Sequence, residues 1–88
     1  MIELRIGSVV RSKAGRDKNK LMAVVGTEGK MLLLCDGKEH RLEKPKRKNP
    51  MHVAPTKAVL ENSAMSTNRS LKRALAQIEE PTDLNSGR

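Results

Sequence analysis

Three short apolar runs stand within the first 35 residues: SVV (8–10), LMAVV (21–25) and MLLLC (31–35). Each is bounded by charged or turn-forming residues, and each is too short for a bilayer span. Runs of this length between turn signals read as strands of a small sheet. SVVRS follows Gly7, the loop AGRDKNK (14–20) precedes LMAVV, and GTEG (26–29) reads as a turn. Asp36-Gly37 comes directly after MLLLC, and Asp-Gly between strands is a hairpin signal. KEHRL (38–42) then alternates, with His40 facing solvent and Leu42 facing inward. EKPKRKNP (43–50) reads as a basic linker broken by Pro45 and Pro50, and MHV (51–53) as a last strand closed by Pro55. Four or five short strands within about 50 residues predict a mainly-β fold, a small antiparallel barrel rather than a sandwich. Closure would also hide the strand edges.

The last third changes character. In STNRSLKRALAQIEE (66–80), Leu71, Ala74, Leu75 and Ile78 recur at i, i+3, i+4 and i+7, which is one face of a helix. Ser66, Thr67 and Asn68 all suit an N-cap, and Pro81 stops the helix. Glu79 and Glu80 oppose the helix dipole at its C-terminal end. The expected organisation is therefore a barrel over 1–57, a linker and amphipathic helix over 58–81, and a disordered tail over 82–88. The helix stripe, within 66–80, is expected to dock on the barrel or on a protein partner.

Charge narrows the function. The chain of 88 residues carries 18 Lys and Arg against 10 Asp and Glu, a formal net +8. Residues 1–60 hold 14 of the basic and 6 of the acidic residues, so 61–88 sum to zero. A basic domain with a neutral appendage points to phosphate backbones, with acidic proteins or lipid surfaces as competitors. Phe, Tyr and Trp are absent, which excludes recognition by stacking unpaired bases on aromatic rings. RNA would have to be held through phosphates, sugar hydroxyls and groove shape. A single cysteine, Cys35, allows no internal disulfide, and MIELRIGS lacks the pattern of a signal peptide, so a cytoplasmic protein is expected.

A glycine-opened strand, a loop of the form A-G-R-D-K-x-K and an apolar strand together resemble the KOW motif of translation and transcription proteins. MLLLCDG resembles the second strand of that motif's hairpin. RLEKPKRKNPMHVAPT resembles the basic strand–linker–strand that closes the barrel, with its H-[LV]-x-P-T ending. Over residues 5–57 the chain is similar to the KOW-domain branch of archaeal and eukaryotic-type large-subunit ribosomal proteins, the fourteenth of the eukaryotic series in particular, and to small bacterial stand-alone KOW proteins. The resemblance implies an SH3-like barrel that binds RNA, usually ribosomal RNA, in a translation role. KOW proteins generally have glycine where this chain has Asn19, and asparagine is the side-chain-bearing residue best suited to the left-handed region. The histidine matching His52 recurs in that family, where it would meet a phosphate or a neighbouring backbone group.

Two basic clusters are the candidate RNA-binding residues. Arg11, Lys13, Arg16, Lys18 and Lys20, with Asn19, lie in or beside the first loop. Arg41, Lys44, Lys46, Arg47 and Lys48, with His52, form the second, and the two are expected to lie close together. Taken singly, each lysine is better explained by solvation of a loop; their confinement to one domain is what points to binding. Asp17 is expected to brace the loop by accepting backbone N–H groups. KPKRK could serve nuclear import, but the KOW-like pattern already accounts for it. GTEGK lacks the spacing and the Ser or Thr of a phosphate-binding P-loop. Cys35 reads as a small buried residue. Two histidines and one cysteine at wide spacing do not make a metal site. No nucleophile–base set or carboxylate pair is evident, so neither catalysis nor a cofactor is expected, and neither is membrane insertion. The alternative reading is a protein-interaction module of the transcription elongation type, contacting RNA polymerase.

Overall fold

The computed structural model describes residues 4–78. Five strands form one antiparallel sheet in the order β4-β3-β2-β1-β5: β1 (Ser8–Ser12), β2 (Leu21–Glu28), β3 (Met31–Cys35), β4 (Lys46–Lys48) and β5 (Val53–Val59). One α-helix, α1 (Asn68–Ile78), follows. The mainly-β class with a C-terminal helix is therefore as expected. No helix among the described residues is long and apolar enough to cross a membrane. The tail over 82–88, and Glu79, Glu80 and Pro81, lie outside the described residues.

The sheet is packed on both faces, which explains the unbroken apolar runs. Val9, Leu21, Ala23 and Cys35 point one way, onto Leu71 and Leu75 of α1. Val10, Met22, Val24, Leu32, Leu34 and Val53 point the other way and pack on each other. That second cluster joins β3 to β5 across the sheet, so the sheet curls around it. The hydrogen-bond ladder, however, stays open between β4 and β5. The expected closed barrel is corrected to a curled open sheet for a local reason. β4 is only 3 residues long, and Pro50–His52 form a 3-10 turn in which Asn49 Oδ1 accepts from Met51 N at 2.8 Å. That turn, opened by a proline without an N–H, takes the place of a closing ladder.

Several boundaries move. β2 continues to Glu28, which pairs with Met31, so the turn is Gly29-Lys30 rather than GTEG. KEHRL is not a strand; Asp36 Oδ1 accepts from the backbone N of both Lys38 and His40 at 2.9 Å and winds the chain into a turn. Part of the expected linker is β4 itself, paired with β3 through Lys46, Arg47 and Lys48. MHV is not a strand as a unit: Met51 and His52 belong to the 3-10 turn, and β5 starts at Val53 and runs through Pro55 to Val59. Pro55 pairs with Val10 and is tolerated because β5 is an edge strand with one partner.

The helix is seated on the sheet, not held out from it. Thr67 caps it: Ser70 N donates to Thr67 Oγ1 at 3.1 Å, and Thr67 N donates back to Ser70 Oγ at 3.3 Å, a reciprocal capping pair. Leu71 and Leu75 are buried and Ile78 packs against the same cluster. Asn68 then ties the first turn to the β3–β4 connection, accepting from Leu42 N at 2.7 Å and donating to Glu43 Oε1 at 2.6 Å.

Candidate nucleic-acid interface

The loop between β1 and β2 is a 3-10 turn, Gly15–Asp17, followed by Lys18 and Asn19. Asn19 has φ 74°, the left-handed conformation expected for it. Its backbone N donates to Ser12 O at 2.8 Å, and its carbonyl accepts from Arg11 Nη1 at 2.8 Å. Replacing Asn19 with glycine is expected to leave the melting temperature near its present value. Valine there is expected to cost about 1–2 kcal/mol, read by thermal denaturation.

Asp17 organises the loop, through side chains rather than the backbone donors expected for it. Its side chain is 4% exposed. It accepts from His40 Nε2 at 3.0 Å and from Lys46 Nζ at 3.1 Å. Three segments far apart in sequence thus converge on one carboxylate: the β1–β2 loop, the turn after β3, and β4. Burial alone would push the Asp17 carboxyl up; the hydrogen bonds from Lys46 and His40 outweigh it and hold the group below its ordinary 3.8. A depressed folded value contributes stability above the ordinary value, and this is lost as pH falls through the folded one. Asp17→Ala is expected to cost about 2–3 kcal/mol near neutral pH, since it strips both donors of their acceptor. The parent should lose stability below about pH 4 by a margin that the variant lacks, a difference visible in circular dichroism melts at several pH values.

The two clusters expected to lie together do so. Lys46 reaches Asp17, and Lys48 Nζ donates to Ala14 O at 3.0 Å. Their roles divide. Lys13, Arg16, Lys18 and Lys44 are exposed and form no ion pair among the described residues. Lys20 is exposed but sits 3.0 Å from Glu39 Oε1, and Arg41 lies 3.6 Å from Glu43. Arg11 is held by the Asn19 carbonyl, and Lys46 by Asp17. Lys48 is buried, 8% exposed, and serves the fold, so it leaves the interface. Arg47 alternates to the other side of β4 and pairs with Glu28 at 3.3 Å, away from the loop. His52 is exposed in its 3-10 turn, and its carbonyl accepts from Lys13 N at 2.8 Å, which sets it at the loop's edge.

His40 corrects its expectation: it is half-buried against Asp17, not solvent-facing. Ligand atoms of Asp17, Glu39 and His40 lie within 4.8 Å of one another. The Lys20 and Lys46 ammonium groups already occupy those carboxylates at 3.0 and 3.1 Å, so the cluster is a self-neutralised ion-pair network. Cys35 is fully buried, its Sγ donates to Arg41 O at 3.3 Å, and burial pushes its thiol up to about 11. Arg16, Lys20, His40 and Lys46 wall a depression of about 330 Å³ above Asp17. Lys38, from the turn after β3, stands beside this surface unforeseen. It lay in a stretch that reads as a strand, where a lysine signals only a solvated face.

No known protein-family model matches the chain, and no curated protein matches it.

Proposed function

We propose that the protein binds structured RNA, ribosomal RNA foremost, through phosphates that meet the β1–β2 loop and the segment leading into β4. On this reading it is a KOW-like, non-catalytic module of the cytoplasm, associated with the large ribosomal subunit. One observation carries it. Arg16 and Lys20 come from one loop and Lys46 from a segment almost thirty residues on, yet they wall one depression above the buried Asp17, which Lys46 bonds; Lys18 and Lys44 border the depressions on either side of it. Lys20 and Lys46 are already paired with acids, while Arg16, Lys18 and Lys44 have no acidic partner among the described residues, and a polyanion would supply one. The absence of aromatic side chains directs contact to the backbone rather than to unpaired bases.

Sedimentation of a lysate containing the tagged protein through sucrose gradients at low and high salt tests this. Co-migration with the large subunit at low salt, lost at high salt or after nuclease, is expected of phosphate-held binding. Migration at the top of the low-salt gradient would refute the ribosomal reading. Capture of polymerase that survives nuclease would favour a protein-contact role instead.

A further inference from the structure

The residues after 60 sum to no net charge, but α1 by itself does not. Every charged residue of α1 is a cation: Arg69, Lys72 and Arg73. An exposed helix face that serves solubility alone usually mixes signs. Arg69 stands in the first turn, where a cation opposes the helix dipole and folding gains nothing from it.

These cations border the loop side of the sheet. Gly37 abuts the backbone of α1, the position of a Cβ there being 3.0 Å from Lys72 N, and Lys38 and Lys72 border the same groove. Between the loop and the helix runs a groove of about 460 Å³, lined by Lys18, Lys38 and Lys72, by the exposed Ala76 and by the buried Leu21 and Leu75. Its two carboxylates are already engaged: Asp36 by the backbone N of Lys38 and His40, Glu39 by Lys20. The groove is continuous with its neighbours through shared walls. Lys20 and Glu39 also border the depression above Asp17. Glu39, His40 and Lys46 border a further one that reaches Lys44. Lys72 and Ala76 border one that reaches Arg69 and Arg73.

Resting on the RNA-binding reading, we propose that these depressions form one track for a sugar–phosphate strand. It runs from Lys44 past Arg16 to Lys18 and Lys38, and then over the helix at Lys72 and Arg73. The helix is thus part of the RNA interface and not only a lid on the core. Cations recur in each depression, and Leu21 and Leu75 in the groove beside the helix suit the carbon edge of ribose. No aromatic platform is present or required.

The test uses the full chain and fluorescence anisotropy with a labelled RNA stem-loop. Three double variants are compared: Lys38→Glu with Lys72→Glu in the groove, Arg16→Glu with Lys44→Glu at the loop, and Lys30→Glu with Lys57→Glu, which border none of the depressions. All three change net charge equally, and all six side chains are exposed. Far-UV circular dichroism checks that each variant folds. The groove pair is expected to lower affinity at least tenfold more than the Lys30/Lys57 pair. It should also flatten the log–log salt dependence by about 1.4, two contacts at about 0.7 each for a single strand. If the loop pair loses affinity while the groove pair matches the Lys30/Lys57 pair, the track is refuted and loop binding stands. If all three lose affinity equally, bulk charge accounts for binding and the track is refuted. If the parent binds no RNA, the underlying reading falls and the track with it. As a second readout, a photo-crosslinker on Ala76→Cys should capture the stem-loop, since buried Cys35 escapes labelling. RNA crosslinked from Lys57→Cys but not from Ala76→Cys would overturn the proposal independently of affinity.

Discussion

Gly37→Ala is expected to unseat α1 from the sheet. Gly37 has φ 79°, and a Cβ there would run into the Asn68 carbonyl oxygen, a backbone atom at the start of the helix that cannot rotate away. The left-handed backbone costs a side chain about 1–2 kcal/mol, and overpacking adds about 1–3 kcal/mol. The displaced turn would also pull Asn68 from Leu42 N and Glu43 and open the face lined by Leu71 and Leu75. A loss of about 3 kcal/mol lowers the melting temperature of a domain this small by about 10–20 °C. The chain has no tyrosine or tryptophan, so far-UV circular dichroism is the suitable probe. A melting temperature within a degree or two of the parent's would show that the helix is not held at this point.

Alanine at Arg16, Lys18 and Lys44 together is expected to lower RNA affinity on the order of a hundredfold at low salt, without a matching loss of stability. These three side chains are exposed and make no ion pair among the described residues, so the fold gives up little when they go. With about five phosphate contacts, the parent should show a log–log salt slope of about −3.5 to −4.5, and the variant a slope shallower by about 2 to 2.7. Lys20→Ala should matter less, because Glu39 already neutralises that ammonium. Unchanged affinity in a folded triple variant would place the RNA elsewhere.

The pattern of these expectations follows what local sequence can reveal. β1 and β3 were legible because turn residues bracket their apolar runs, and the helix face because Leu71, Leu75 and Ile78 keep a period of 3.6. The loop was legible in its charge and in the backbone of Asn19. β4 was not: KRK has no apolar signal, and only its pairing with Leu32, Leu33 and Leu34 makes it a strand. Pro55 read as a stop because a ladder position normally needs an N–H; that β5 is an edge depends on distant strands. The same distance hid the roles of individual cations. Lys44, Lys46 and Lys48 look alike in sequence, yet one is exposed, one is tied to Asp17 and one is buried on Ala14 O. The cationic face of α1 was obscured by counting it together with the acidic residues that follow.

The convergence on Asp17 has a consequence for the timing and selectivity of recognition. Ordering a long side chain at an interface costs about 0.5–1.5 kcal/mol. Lys46 and Arg11 have met that entropic cost during folding, by their bonds to Asp17 and to the Asn19 carbonyl. Arg16, Lys18 and Lys44 have not. The surface therefore combines anchors that are rigid before any encounter with outer cations that settle only afterwards. On the RNA-binding proposal, such a surface would engage quickly, adapt to backbones of differing curvature and distinguish ligands by contour rather than by base identity.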